Sequence, residues 1–239
     1  MKNTLKLMAG ILAIGLVAST GNAASTYTDG TEEIIWSHAP ADIISAEVSN
    51  DNNDLVFKLT LGGDISTNGW VNNMIAISTG TSAGTTSGNA WNRPINFNSP
   101  NGGMNYWVGS WNGGWQLWNY TGTAWNGPAT PAGSSYSNVG TLLTYTIKRA
   151  DLGLTSTTDQ TIYFDIYSSG GGGGDGAIDA LSKSTETIAN WGDAYTTGGT
   201  GAGNALSYTV SGIPEPSSSL LMGLGLAGLL VVRRIRKNA

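Results

Sequence analysis

Seven aromatic side chains fall within twenty residues near the middle of the chain. They are Tyr106, Trp107, Trp111, Trp115, Trp118, Tyr120 and Trp125. Gln116 lies among them, between Trp115 and Trp118. Flat aromatic rings pack against the C–H faces of sugars, and amide side chains hydrogen-bond to sugar hydroxyls. This segment therefore contains the residue types that glycan binding uses.

The second half of this segment alternates as a strand does. Gln116, Trp118 and Tyr120 are expected to share one face, and Trp115 and Asn119 the opposite face, because successive strand side chains point to opposite sides. Two interpretations remain open. Either one set packs a core and the other shields loops, or the exposed set binds a glycan.

Acidic residues offer a second kind of chemistry. Asp175 and Asp179 follow five consecutive glycines, residues 170–174. Carboxylate and carbonyl oxygens are the ligands that Ca²⁺ prefers, so the two are weak calcium candidates. No EF-hand pattern is present. Aspartates in turns also stabilise the turn by accepting hydrogen bonds from the main chain, a role that needs no metal. The sequence otherwise predicts no metal and no cofactor.

Catalysis has little support in the sequence. The chain has no cysteine and one histidine, His38. No G-x-S-x-G elbow is present, and no carboxylate pair is singled out for glycoside hydrolysis. Haem would need an axial ligand such as His38 or Met104. We expect a body that is not an enzyme, with a carbohydrate-active enzyme as the distant alternative.

Strands must position these groups, because period-two alternation runs through the body and no long amphipathic helix is evident. Residues 42–61 predict a hairpin, and residues 126–137 a loose Pro/Gly-rich loop. Further strands are expected at 70–78, 104–110, 115–120, 142–148, 161–168 and 205–210. About ten short strands indicate an all-β fold, an antiparallel, jelly-roll-like β-sandwich.

The beginning of the chain has the order of a secretory signal peptide. Lys2 and Lys6 precede an apolar core at residues 7–18, and small residues follow at 21–23. This pattern predicts a signal helix within residues 1–24, with an uncleaved anchor as the alternative. The β-sandwich domain is then residues 25–212.

The last segment, residues 213–239, has three parts in a fixed order. Pro214-Glu215-Pro216 ends the folded body, because proline fixes φ and lacks an N–H. An uncharged apolar run follows, and then a basic end at residues 233–237 that favours a cytoplasmic location. As a helix the apolar run would span roughly 20 Å, short of a ~30 Å hydrocarbon core. We predict a short membrane helix at residues 217–232, with a buried core helix as the alternative.

This order resembles the PEP-CTERM sorting signal of Gram-negative bacteria. In that family an exosortase recognises and processes the tail and releases the body towards the cell surface or an exopolysaccharide matrix. The resemblance implies a recognition tripeptide, Pro214, Glu215 and Pro216, and a stop-transfer cluster, Arg233, Arg234 and Arg236. Ile213 stands where the family often has valine.

The body also resembles the DOMON-like and family-nine-carbohydrate-binding-module-like sandwich domains. The similarity is diffuse and lies in the hairpin 42–61, the aromatic meander 106–125, the segment 147–154 and the strand 162–167 with its glycine loop. It implies a β-sandwich whose relatives bind sugars, haem or no known ligand.

The net negative charge of the body makes some classes of partner unfavourable. Between Ala24 and Gly212 there are five basic and fifteen acidic residues, a formal net charge of −10. Such a body disfavours nucleic acid and anionic lipid surfaces. The absence of cysteine excludes disulfides and thiolate chemistry.

Together these features predict an exported protein. It would cross the inner membrane, be anchored by its C-terminal helix before processing, and then reach the cell surface or the matrix. The expected partners are an exosortase-type enzyme, the membrane and an exopolysaccharide, and no nucleic acid. A structural matrix protein without a ligand is the alternative.

Overall fold

The structure is a computed structural model that describes residues 24–30, 34, 38–155 and 157–212. The predicted body lies mostly within this range. The predicted signal helix and the C-terminal segment 213–239, with its expected membrane helix, lie outside the described residues. Within the described part, no helix is long and apolar enough to cross a membrane.

Short antiparallel strands dominate the described chain. They are β1 (Ser25–Thr28), β2 (Ile43–Asn50), β3 (Asp54–Leu61), β4 (Asn72–Ser78), β5 (Ile95–Phe97), β6 (Tyr106–Trp111), β7 (Gly114–Tyr120), β8 (Trp125–Ala129), β9 (Ser135–Val139), β10 (Leu142–Lys148), β11 (Gln160–Ser169), β12 (Asp179–Ala180), β13 (Tyr195–Thr197) and β14 (Leu206–Val210). Three-residue 3₁₀ turns occupy Ala39–Ala41 and Ile65–Thr67, and a four-residue one occupies Arg149–Leu152.

The strands form two main sheets. The first sheet has the order β1-β2-β3-β10-β9, and the second has the order β12-β11-β4-β6-β7-β8, with β14 also pairing with β11. The hairpin predicted at residues 42–61 is confirmed as β2 and β3. An antiparallel, mostly β body is therefore confirmed, while the jelly-roll-like connectivity stays a prediction.

One face of each main sheet packs against the other sheet. Phe57 of the first sheet meets Phe164 of the second edge to face, with ring centroids 5.4 Å apart. Tyr145 OH and Ser110 Oγ lie 2.7 Å apart across the same interface. Each fully buried side chain of this size stabilises the fold by roughly 1.5–3 kcal/mol. We call this side of the second sheet its core face.

The opposite, outer face of the second sheet is also covered. Two segments, residues 89–97 and 182–197, lie over it, and we call them the loop layer. They contain the parallel strand pair β5–β13. Tyr167 of β11 meets Tyr195 of the loop layer edge to face at 6.1 Å. Consequently β4 is buried along almost its whole length rather than at alternate residues.

The expected loose loop at residues 126–137 was wrong in part. Strands β8 and β9 begin or lie there, and β9 pairs with β10 at the edge of the first sheet. β9 alternates between exposed and half-buried residues and is rich in serine and asparagine, so it lacks the apolar signal of a core strand.

Candidate functional site

Register places the predicted aromatic residues on defined faces. On β6 and β7, Trp107 pairs with Trp118, and Gly109 with Gln116. Side chains of paired residues share a face, so the predicted alternation of β7 is confirmed. Gln116, Trp118 and Tyr120 belong to the outer face of the second sheet, and Trp115 belongs to its core face.

Three indoles on the outer face lie directly against glycine main chain. A Cβ added to Gly109 would lie 2.0 Å from Cζ2 of Trp91. The same addition at Gly114 would lie 2.5 Å from Cζ2 of Trp111, and at Gly127 2.8 Å from Cε3 of Trp118. Glycine in a strand often marks such a close approach. Each glycine thus makes room for one ring.

Gln116 fixes two of these rings. Its Oε1 accepts hydrogen bonds from Nε1 of Trp91 and from Nε1 of Trp118, each at 3.3 Å. Trp91 and Trp111 pack together with ring centroids 6.4 Å apart. We call Trp91, Trp111, Gln116 and Trp118 the tryptophan platform. All four side chains are partly exposed.

The amide nitrogen of Gln116 is available for a ligand. Both side-chain hydrogen bonds of Gln116 to described residues are made by Oε1, and neither uses Nε2. A partly exposed N–H donor beside several indoles is an arrangement that can orient a sugar hydroxyl.

The other predicted residues separate from the platform. Trp107 is fully buried and stacks on Tyr167 at 6.3 Å. Tyr106 is buried on the core face, and its burial, with the charge of Asp151, raises its pKa. Trp115 also packs against the core.

Tyr120 and Trp125 form a partly exposed pair beyond the platform, with ring centroids 5.4 Å apart. The indole N–H of Trp125 donates to the carbonyl of Gly88 at 2.7 Å. The structure therefore brings Trp111, Gln116 and Trp118 together and keeps Tyr120 and Trp125 on the same outer side. It buries Trp107 on that side and places Tyr106 and Trp115 on the core face.

Sequence reasoning missed Trp91, which sits in the loop layer outside the aromatic segment 106–125. The available signal was Gly109, an isolated glycine inside a strand, between Val108 and Ser110. It also missed a second aromatic group. Trp70 and Trp191 meet edge to face with centroids 5.6 Å apart, next to the glycine run.

The two weak calcium candidates have main-chain partners. Asp175 Oδ2 accepts from the N–H of Gly172 at 2.7 Å. Asp179 accepts from Ile43 N at 2.6 Å and from Ala180 N at 2.8 Å. Burial raises the pKa of Asp179 well above its usual value. In the described ranges, no group of three or more acidic or histidine side chains is placed to hold a metal ion.

A buried carboxyl ties the loop layer to the second sheet. Asp165 of β11 accepts hydrogen bonds from Thr197 Oγ1 at 2.5 Å, from Ser182 Oγ at 2.7 Å and from Ser182 N at 3.2 Å. Its own neighbour Ile166 donates a fourth. Burial nevertheless raises the pKa of Asp165 to about 6, because desolvation of the charged form outweighs these donors.

Comparison with known families gives a match towards the end of the chain. Residues 212–237 match the family described as the PEP-CTERM protein-sorting motif. The predicted tripeptide Pro214-Glu215-Pro216 and the arginines 233, 234 and 236 fall inside the match. No curated protein and no solved structure matches the chain, so the similarity of the body to DOMON-like and family-nine-carbohydrate-binding-module-like domains is not confirmed.

The folded body leads directly into this motif. Ser211 N donates to Asn50 Oδ1 at 3.1 Å, and Gly212 N donates to Asp159 Oδ1 at 2.8 Å. Arg149 also donates to the carbonyl of Ser211 at 2.9 Å. The motif thus begins at Gly212, a residue that still donates a hydrogen bond to the body, and it supports an exported protein that carries an exosortase-processed sorting signal.

Proposed function

We propose that the body of this exported protein binds a polysaccharide through the tryptophan platform, at the cell surface or in an exopolysaccharide matrix, and that it is not an enzyme. The observation that carries this proposal is the set of three partly exposed indoles, each seated on a glycine and two of them held by one glutamine. Rings held in this way lose little freedom when a ligand stacks on them.

The platform contains suitable groups for a neutral polymer. Indole faces pack against the C–H faces of sugar rings, and Gln116 Nε2 can donate to a hydroxyl. Its members include no acid, base or nucleophile, which fits binding without bond cleavage. An open surface of this kind favours internal repeats of a chain, and weak contacts per repeat would add along the polymer.

The structural matrix protein remains the second candidate, and a specific observation favours it. The indole N–H groups of Trp91, Trp118 and Trp125 all have acceptors within the protein. Indoles whose N–H groups already have acceptors within the protein can contribute to packing alone. On this view the tryptophans stabilise the outer face and no glycan is bound.

A pair of matched variants separates the two candidates. Trp118→Ala removes a platform ring, whereas Trp115→Ala makes the same change on the core face of the same strand. The purified full chain in detergent is assayed for binding to the exopolysaccharide of its host, and circular dichroism checks the fold.

Loss of binding in Trp118→Ala, with binding kept by folded Trp115→Ala, is the expected result. Equal binding by both variants, or no binding by the unaltered protein at millimolar repeat units, would refute the platform and leave the structural role.

A further inference from the structure

A second aromatic site lies at the end of the second sheet and is separate from the platform. Trp70, in the turn before β4, is 36% exposed and meets Trp191 of the loop layer at an angle of 74°. With Asp175 and the glycines at 170–172, the two indoles line a cavity of about 470 Å³. We call Trp70, Trp191, Asp175 and these glycines the aromatic–acid pocket.

Trp70 is held in position although it is exposed. His38 stacks on it with ring centroids 4.5 Å apart and planes 27° from parallel. The main-chain N–H of Trp70 donates to Asn68 Oδ1 at 3.4 Å, and the side chain of Asn68 in turn contacts His38 Nε2. The ring is therefore supported from the side of His38 before any ligand arrives.

The glycine run allows this pocket to exist. A Cβ at Gly170 would lie 2.2 Å from Asp175 Oδ2 and 2.7 Å from Cζ3 of Trp191. At Gly172 it would lie 2.9 Å from Asp175 Oδ1. Side chains at these positions would therefore displace the carboxylate or the ring. Because these glycines have no side chains, Asp175 and Trp191 can pack directly against the main chain and lie beside each other.

Charge decides what such a pocket attracts. Indole rings carry negative charge on their faces and attract cations, and the carboxylate of Asp175 adds to this attraction. Asp175 Oδ1 has no hydrogen-bond donor among the described residues. The body's net charge of −10 points the same way.

One internal cation lies behind the pocket. Arg93 is 6% exposed and donates to Ser169 Oγ at 2.8 Å and to the main-chain carbonyl of Asp175 at 3.4 Å. Burial lowers the pKa of Arg93, and the nearby charge of Asp175 partly opposes this shift. Because Arg93 reduces the negative potential in the pocket, the expected ligand affinity is modest, on the order of millimolar.

We infer that the aromatic–acid pocket binds an organic ammonium group. This group could belong to a small quaternary ammonium compound or to the protonated amines of an amino-sugar polymer. The inference does not depend on glycan binding by the tryptophan platform, since the two sites share no residue.

Choline and its neutral isostere, 3,3-dimethylbutan-1-ol, test the charge requirement. Titration calorimetry of the purified full chain in detergent is expected to give a dissociation constant on the order of millimolar for choline and at least about tenfold weaker binding of the alcohol. Equal affinity for both, or no binding of choline at about 50 mM, would overturn the inference.

Two substitutions locate the site. Asp175→Asn keeps an oxygen acceptor for Gly172 N but removes the charge, and it should weaken choline binding about fivefold or more. Trp70→Ala should abolish it. Trp118→Ala is the control and should leave choline binding unchanged, whatever it does to polysaccharide binding. Unchanged affinity in Asp175→Asn would refute the pocket.

A glucosamine trimer and its N-acetylated form then identify the source of the ammonium group. Tighter binding of the amine trimer than of choline would assign the pocket to an amino-sugar polymer, and binding of choline alone would assign it to a small quaternary amine. Equal binding of the acetylated and free trimers would overturn the ammonium assignment, because the acetylated trimer carries no charge.

Discussion

The tryptophan platform rests on strands, whereas the aromatic–acid pocket is built by loops. In the platform, glycines beneath the rings and the amide of Gln116 fix indoles whose one charged neighbour among the described residues is a buried cation, Arg93, 5.4 Å from the centre of the Trp91 ring. In the pocket, two indoles meet edge to face beside the carboxylate of Asp175. Tryptophan therefore lies beside a glutamine amide and a buried cation in one region and beside a carboxylate in the other, and these neighbours decide which ligand each surface favours.

The two regions also depend differently on the loop layer. The pocket needs Trp191, which the loop layer carries, and that layer is held by Asp165 through Ser182 and Thr197. The platform takes only Trp91 from the loop layer, while Trp111, Gln116 and Trp118 lie on β6 and β7. Perturbing the loop layer at Asp165 should therefore affect the pocket more than the platform.

The largest effect is expected from the titration of Asp165. Its pKa is raised to about 6 in the folded protein, so folding favours the protonated form. The stabilisation is complete below the unfolded pKa near 4 and is lost as pH rises through about 6, up to about 3 kcal/mol in all. Asp165→Asn should abolish this part of the pH dependence.

Chemical unfolding of both proteins between pH 4 and pH 7 checks this, since other carboxyls, including Asp179, titrate in both and cancel in the difference. The free energy of unfolding of the unaltered protein should fall relative to that of Asp165→Asn as pH rises. A difference that stays flat would show that Asp165 does not bind a proton in this range.

The next largest effect is expected at Gly109, the glycine against which the Trp91 ring packs. Gly109→Ala places a methyl group 2.0 Å from an atom of the Trp91 ring, so the ring must move, at a cost of about 1–3 kcal/mol in unfolding free energy. Gly174→Ala is the control, because nothing lies within 4 Å of its added Cβ. Thermal unfolding of the two variants measures the contrast.

Equal stability of the two variants would contradict the close seating of Trp91. Polysaccharide binding should fall in Gly109→Ala but not in Gly174→Ala, while choline binding should survive in Gly109→Ala, because Trp91 does not line the pocket.

A smaller effect is expected at Gln116. Gln116→Leu removes the acceptor of two indole N–H groups, each worth about 1 kcal/mol or less where water can replace it. Gln116→Glu keeps oxygen acceptors at that position. The indole ¹H–¹⁵N resonances of Trp91 and Trp118 should shift in the leucine variant and less in the glutamate variant, and that of Trp125 should stay in place in both. Shifts of equal size in all three would contradict the assigned contacts.

Period-two alternation could predict the strands that have one apolar face. It predicted β2 and β3, and it assigned Gln116 and Trp118 to a common face, because burial of alternate side chains leaves that trace in the sequence. It could not predict β9 or β13. β9 is an exposed edge strand, and β13 is three residues long and pairs in parallel with β5, so neither carries a regular apolar pattern.

The sites were predicted in part for a related reason. Residues close in sequence, such as Trp111 and Trp118, show their association by spacing alone. Trp70 and Trp191 are joined by tertiary packing over a long stretch of chain, and a single sequence contains no record of that pairing. The glycine run likewise gives no sign of its role in the sequence, since its close contacts with Asp175 and Trp191 exist only after folding.

Salt should give the smallest but most selective difference between the two regions. Raising NaCl from about 0.05 M to about 0.5 M shortens the screening length roughly threefold, and choline binding to the pocket should weaken by about two- to fivefold. Polysaccharide binding to the platform should change little, because stacking and amide hydrogen bonds carry no net charge and the cation beside Trp91, Arg93, is buried. Titration calorimetry at both salt concentrations measures this. Parallel weakening at both sites would mean that charge also contributes to ligand binding at the platform, and the assignment of uncharged ligand contacts to Trp91, Trp111 and Trp118 would then fail.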